Sequence, residues 1–331
     1  MQLSSIPGGL IVAAVAAVSF GTSGALVKPM LEAGWSPTAA VTARALTAGL
    51  VLLPLALYSL RGRWAALWRG RWRVLGMGIV GVACTQLAYF AALQTIPVST
   101  ALLIEFLAPL LLVAFVWVTT QRMPRRTVLL GSALAVAGLV LVIGPGAIRA
   151  VDPVGVLFAF GAAVACAVFF VVAARPAEGL PPIALAAFGL LVGGVALGLL
   201  GVTRLLPFTA SFADLSMLGA VTPWWVPLLA LAVISTAIAY AAGITAAGVL
   251  GSRLASFVGL LEVIFASLFA WLLLGELLTP LQLFGGLFIL GGIAAVGEER
   301  VELAAKSRVP DEPEQHEAST AGESTVATSA R

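Results

Sequence analysis

The chain has 331 residues, of which 61% are hydrophobic and 10% charged, and its formal net charge is +3. A soluble domain carries roughly 45–50% apolar and about 25% charged residues, so a soluble fold is excluded: no soluble core hides this much apolar surface. Neither the small net charge nor any basic stripe points to nucleic acid.

The first apolar run, Gly9–Val27, reads as span 1 rather than a secretory signal, since no basic residue precedes it and the chain stays apolar beyond it. Lys28 is expected to end it, with Pro29–Ser36 as a short loop, and span 2 covers about Pro37–Leu60 and contains Arg44. The following segment, Arg61–Arg73, holds five arginines and three tryptophans. Between two spans, this composition fits a cytoplasmic loop with tryptophans at the interface. Span 3 runs over about Val74–Leu93 and span 4 over about Val98–Thr119, with only a tight turn between them. A second basic loop, Gln121–Arg126, leads into span 5 at Thr127–Ile143, and Pro145–Pro153 links to the remainder.

Spans 6 and 7 are expected at Val154–Ala174 and Pro182–Val202. A longer loop, Thr203–Pro223, precedes span 8 at Trp224–Gly248, and spans 9 and 10 follow at Arg253–Leu274 and Leu281–Val296. Each run is near the ~20 residues a helix needs to cross ~30 Å of hydrocarbon. The tail from Glu298 to Arg331 is polar and rich in Ser, Thr, Glu and Ala, and is expected to be disordered in the cytoplasm.

The two halves repeat. An offset of 154 pairs Phe115 with Phe269, Trp117 with Trp271, Gly131 with Gly285 and Gly138 with Gly292. Further upstream, an offset of 151 pairs Tyr89 with Tyr240, Val98 with Val249 and Phe106 with Phe257. The fold class is therefore an all-α polytopic membrane protein, ten transmembrane helices forming two five-helix repeats at 6–148 and 152–297, with a tail at 298–331. Five is odd, so the second repeat enters the membrane from the opposite side and the repeats are inverted, the architecture of alternating-access carriers. Even-numbered loops hold Arg61, Arg63, Arg69, Arg71, Arg73, Arg122, Arg125, Arg126, Arg175 and Arg253, while odd-numbered loops hold Lys28, Arg149 and Arg204. This asymmetry places both termini in the cytoplasm.

The segments FGTSGALVKP in span 1, Ser36-Pro37 to Arg44, FASLFAWLLLGE and TPLQLFGGLFILGG resemble the EamA-type members of the drug/metabolite transporter superfamily, over about residues 9–297. The resemblance implies two five-helix repeats and a small metabolite, amino-acid-like or drug-like, usually moved outward across a bacterial plasma (inner) membrane. In the second repeat such proteins often carry Glu-Pro-Val, whereas this chain has Glu262-Val263-Ile264, so a helix break in span 9 is not expected. The first repeat keeps its proline as Pro109, opposite Val263.

Pro109 lacks the N–H that would bond the carbonyl four residues back, which belongs to Glu105. Span 4 thus combines a released carbonyl and an acidic side chain, tolerated in hydrocarbon only facing a cavity or a partner. Glu105 is the first candidate for a substrate or coupling-ion site, with Glu262 and Arg44 as the other mid-span charges. Arg44 either pairs with a glutamate or holds a substrate carboxylate, and each glutamate can carry a proton.

Gln86 and Tyr89 share a face of span 3, as Thr236 and Tyr240 share one of span 8. These residues, with spans 1, 3, 4, 6, 8 and 9, are expected to line a midplane cavity. Ser19, Thr22 and Ser23 either add hydroxyls to it or bond between helices. Trp117 and Trp271 read as interface anchors, and Lys28 and Glu276 as snorkelling or gating charges near the outer helix ends. The glycine pairs Gly189/Gly193 and Gly194/Gly198 of span 7 read as close packing within the monomer rather than self-association.

Cys84 and Cys166 lie in apolar runs as small buried residues, and His316 is the single histidine, in the tail. No metal site, no cofactor and no enzyme activity is expected: there is no nucleophile–base pair and no phosphate-cradling loop. The expected function is a secondary-active transporter, monomer or homodimer, exporting small metabolites such as amino acids or drug-like compounds, with protons as a candidate coupling ion. The alternative is an uptake carrier or uncoupled facilitator.

Overall fold

Hydrocarbon offers the backbone no hydrogen-bond partners, so a chain this apolar satisfies its N–H and C=O groups within helices. The computed structural model describes residues 6–121, 123–144, 152–176, 179–217, 220–275 and 277–306, with the side chains of 99 and 298–306 outside that description. Among these residues, nine helical runs are long and apolar enough to cross a membrane: Ile6–Glu32, Pro37–Ser59, Arg71–Ala92, Thr100–Thr120, Arg126–Ile143, Pro153–Ala174, Pro182–Val202, Trp225–Gly259 and Pro280–Gly297. The eighth contains a break at Gly251, whose φ of 76° and ψ of 163° are not helical. Glycine alone adopts such a conformation without strain. The break divides span 8 (225–250) from span 9 (252–274), which gives the ten expected spans.

Several boundaries differ from the sequence reading. Span 1 does not stop near Lys28 but continues to Glu32, with a turn at Thr22 and Pro29 inside its last part. Span 10 runs on as helix to Lys306, past the start of the expected tail, and 307–331 lie outside the described residues. The loop after span 7 contains a small antiparallel hairpin, Leu215–Met217 against Ala220–Thr222. Spans 2 and 6 begin alike. Ser36 and Asp152 accept hydrogen bonds from backbone N–H groups of the first turn, and Pro37 and Pro153 occupy the position where a missing N–H costs nothing.

Span 4 is broken, as Pro109 requires: the helix Val98–Glu105 stops, and Ala108–Thr120 resumes after a tight turn at Phe106 and Leu107. Span 9 is broken as well, which corrects the expectation from its missing proline. At Leu260 the pattern tightens to Leu260 N–H→Phe257 O and Val263 N–H→Leu260 O, and a new helix, Leu261–Leu274, begins. Gly259 supplies the weak helix former, and a Cβ there would lie 3.2 Å from the Phe170 ring of span 6. The second repeat thus breaks at the matching place without a proline.

The repeat register is visible in the backbone. The turns at Phe106 and Leu260 differ by the offset of 154, which corrects the pairing of Phe106 with Phe257, and so do the helix-ending caps Gln121 (φ 54°) and Gly275 (φ 71°). The Gln121 N–H bonds Trp117 O and the Gly275 N–H bonds Trp271 O. Spans 3 and 8 each contain a π-helical stretch, Gly76–Cys84 and Val233–Ile238. Thr85 and Thr236, related by the offset of 151, each donate to the carbonyl five residues back, Val80 O at 3.0 Å and Leu231 O at 2.9 Å.

Spans 5 and 10 cross at glycine. A Cβ on Gly131 would sit 2.8 Å from Gly292 O, and one on Gly292 would sit 2.6 Å from Gly131 O; Gly138 and Gly285 face each other in the same way at 2.6 and 2.7 Å. Each residue meets the repeat mate of the other's partner, the pattern of a two-fold axis, and the helices run antiparallel. The inverted repeat is therefore built into this crossing. The glycines of span 7 also pack inside the chain, Gly189 and Gly193 against Met77 and Val82 of span 3, and Gly194 and Gly198 against Leu46 and Thr42 of span 2.

Each repeat also fastens the other at its ends. Arg73 of span 3 donates to Val172 O, Ala173 O and Pro176 O at 2.9–3.1 Å, capping the end of span 6. On the opposite face, the Ser36 N–H donates to Thr209 O after span 7, the Thr209 N–H donates to Ser36 Oγ, and Trp35 Nε1 donates to Ser211 O. The arginine–tryptophan segment lies on the Arg73 side, with Trp64, Trp68 and Trp72 exposed and Arg71 stacked over two of those rings. Trp117 and Trp271, both about half exposed, sit at opposite membrane faces, as inverted repeats demand.

Gly285→Ala should destabilise the protein by about 1–3 kcal/mol, the usual cost of overpacking, whereas Gly286→Ala, whose nearest obstacle is 3.8 Å away, should not. Thermal unfolding of the two variants in detergent checks this; equal effects would contradict the crossing.

Candidate functional site

A cavity of about 1070 Å³ occupies the middle of the bundle. Its deep end is formed by Phe20 and Ser23 of span 1, Arg44 of span 2, Gln86 and Tyr89 of span 3, Glu105 of span 4, Cys166 of span 6 and Glu262 of span 9. Its shallow end is formed by Leu31, Pro37, Leu93, Val98, Ile143, Leu277 and Gln282, all next to odd-numbered loops. No lining residue lies near an even-numbered loop. The cavity is thus one-sided, reaching from mid-membrane to the odd-loop face.

Each charge is positioned by an irregularity. Glu105 is the last residue of the helix before the span 4 break, where the helix carbonyl end disfavours a negative charge. Glu262 stands in the first turn after the span 9 break, where N–H groups favour one. Arg44 donates from Nη1 to Ser23 Oγ at 2.8 Å, just beyond the turn at Thr22. It interacts electrostatically with Glu105 and Glu262, yet among the described residues it forms no ion pair with either within 4 Å. One cation and two carboxylates therefore face a common space without neutralising one another by contact. Such a site can hold a ligand carboxylate at Arg44 and an ammonium group or proton at the glutamates.

The structure brings together Glu105, Arg44, Glu262, Gln86 and Tyr89 as the sequence indicated. Tyr240 is a correction. It is 8% exposed and lies behind the wall, wedged edge-on between Phe20 and Phe169 at ring-centroid distances of 5.3 and 5.6 Å. No residue of span 8 lines the cavity, while spans 2, 5 and 10 contribute to it. Pro109 is buried beyond the break rather than in the lining.

The span 1 hydroxyls divide. Ser23 reaches the cavity, whereas Thr22 shares a 2.6 Å hydrogen bond with Ser235 of span 8 and Ser19 is buried. Lys28 is not part of the lining, and Glu276 lies outside the described residues. Sequence reasoning missed Cys166 as a lining residue; both cysteines are free thiols, and nothing in a uniformly apolar run marks which one faces inward. Among the described residues no group of acidic, Cys and His side chains forms a metal site.

The chain matches the EamA-like transporter family over residues 7–144 and 153–297. A curated relative from Archaeoglobus fulgidus, described as an uncharacterized transporter, is 25% identical over 226 residues, covering 68% of this chain and 76% of its own. A solved crystal structure of a protein 21% identical in sequence superposes with a TM-score of 0.69, covering 92% of this chain and 100% of its own. That likeness bears on the fold alone.

If Arg44 offsets the two carboxylates, Arg44→Ala should lower thermal stability and Arg44→Ala combined with Glu105→Gln should recover part of the loss. A double-mutant cycle should show a coupling of about 0.5–3 kcal/mol; strictly additive effects would mean the two side chains do not sense each other.

Proposed function

This chain is a multi-pass membrane protein that belongs to the EamA-like transporter family, and with it to the drug/metabolite transporter superfamily; from that premise we propose a secondary carrier that exports small metabolites by alternating access. The observation that carries the reading is the one-sided cavity ending on three mid-membrane charges. A channel needs a continuous path, whereas a cavity sealed at one end by packed helices is one half of an alternating-access cycle.

The basic loops favour an odd-loop face outside, and on that orientation this reading makes the present arrangement the outward-facing state of a plasma-membrane carrier. Closing both faces over an empty site leaves one net negative charge from Arg44, Glu105 and Glu262. An uncompensated charge at the bilayer centre costs at least ~2.5–3.5 kcal/mol. A bound proton or cationic group removes that cost and lets the site change sides. A substrate bearing both a carboxylate and an ammonium group, such as an amino acid, meets Arg44 and the glutamates in turn, and a drug-like cation meets the glutamates alone. Export, rather than uptake, follows the usual direction of the family.

Proteoliposomes loaded with candidate amino acids and small cations test the reading. Gradient-driven flux is expected to rise with an imposed pH gradient and to fall on the order of tenfold or more in Glu105→Gln, the loss expected for a charged hydrogen bond of about 1.5–3 kcal/mol. Flux indifferent to the gradient would favour an uncoupled facilitator. Full flux in Glu105→Gln would assign that residue a structural role.

A further inference from the structure

Tyr89 and Tyr240 occupy equivalent positions in the two repeats, yet they are used differently. Each follows its π-helical stretch by four residues from the matched threonine, Thr85 or Thr236. Spans 3 and 8 cross the membrane in opposite directions, so Tyr89 lies on the odd-loop side of its threonine and Tyr240 on the even-loop side of its own. Tyr89 stands in the cavity wall, and its ring contacts only the neighbouring Phe90 ring among the described aromatic residues. Tyr240 is buried and wedged between Phe20 of span 1 and Phe169 of span 6. It lies behind the Phe20 ring that lines the cavity, in electrostatic reach of Arg44, Cys166 and both glutamates.

Spans 1 and 6 are the first helices of their repeats, so the two-fold relation seen at the glycine crossing exchanges them with each other. The slot between them is its own mate. We propose that Tyr89 and Tyr240 are alternate wedges for this one slot: Tyr240 seals the even-loop side in the state described here, and Tyr89 seals the odd-loop side in the opposite state, when Tyr240 withdraws to line the cavity. The proposal rests on the alternating-access reading. It assigns Tyr240, with the buried Thr236 on the same span, to the wall of a second, even-loop-facing form of the site. Phe20 already lines the present cavity and so offers Tyr89 the same ring it now gives Tyr240. The π-helical stretches supply the adjustable backbone, since such segments accommodate a shift in helix register.

The experiment uses Cys84→Ser protein, which leaves Cys166 as the single thiol, in vesicles probed from either face with a membrane-impermeant methanethiosulfonate. Tyr240→Ala should raise labelling from the even-loop face relative to the odd-loop face, and Tyr89→Ala should change the ratio in the opposite sense, each by roughly threefold to tenfold for the loss of an aromatic wedge. Tyr89→Phe and Tyr240→Phe keep the ring and should leave the ratio near the parent value, which also separates the effect from misfolding. Shifts of the two alanine variants in the same direction, or no shift in either, would overturn the exchange. Labelling of the parent protein from one face only under every condition would instead overturn the carrier reading itself.

Discussion

A guanidinium and two carboxylates cannot be left in hydrocarbon without water or a counter-charge, because the energy of an unscreened charge there rivals a sizeable part of the stability of a folded domain. Arg44, Glu105 and Glu262 meet this constraint by sharing a single cavity. Their placement explains the irregularities around them. The break at Phe106–Leu107 ends a helix at Glu105, the break at Leu260 begins one at Glu262, and the turn at Thr22 presents Ser23 to Arg44. Regular structure holds the bundle together, and its interruptions build the site.

The second organising fact is the two-fold relation between repeats. It is tightest where spans 5 and 10 meet through Gly131, Gly138, Gly285 and Gly292, whose backbones approach within distances no side chain allows. It is loosest around the cavity, where spans 3 and 8 carry matched π-helical stretches but unlike tyrosine environments. On the proposed carrier reading, exchanging the roles of the two halves gives such a molecule a second arrangement of similar packing. The ties at the two faces are unlike: arginine to carbonyls at the end of span 6 on one, and a serine–threonine clasp at the start of span 2 on the other.

Much of this was legible in the amino-acid sequence, because hydrocarbon imposes a simple rule on length and apolarity. The ten spans, the repeat offsets, the inward packing of the span 7 glycines and five of the six candidate site residues in the cavity could be read from run lengths, loop charges and isolated mid-span charges. Pro109 announced its break through the missing N–H. The break at Leu260 could not be read the same way, since no proline marks it and the neighbour of Gly259, Phe170, comes from another span. Tyr240 was misplaced for a related reason. Spacing puts Tyr240 on the helical face that matches Tyr89, but whether a side chain on that face meets the cavity or packs between rings is decided by spans 1 and 6, through Phe20 and Phe169. The continuation of spans 1 and 10 escaped notice because Lys28, Pro29 and the acidic run after Gly297 read as ends, although a helix can carry all of them once its end leaves the hydrocarbon.

The central claim is that one set of buried charges is served by two faces in turn, and distances across those faces test it most directly. Spin labels at Leu31 and Leu277, which flank the cavity mouth, and at exposed Trp68 and Met123 on the opposite face, can be measured pairwise in lipid nanodiscs with and without a transported compound. The account predicts two distance populations for each pair, with the Leu31–Leu277 distance shortening as the Trp68–Met123 distance lengthens. A single unchanging distance at both faces would contradict it.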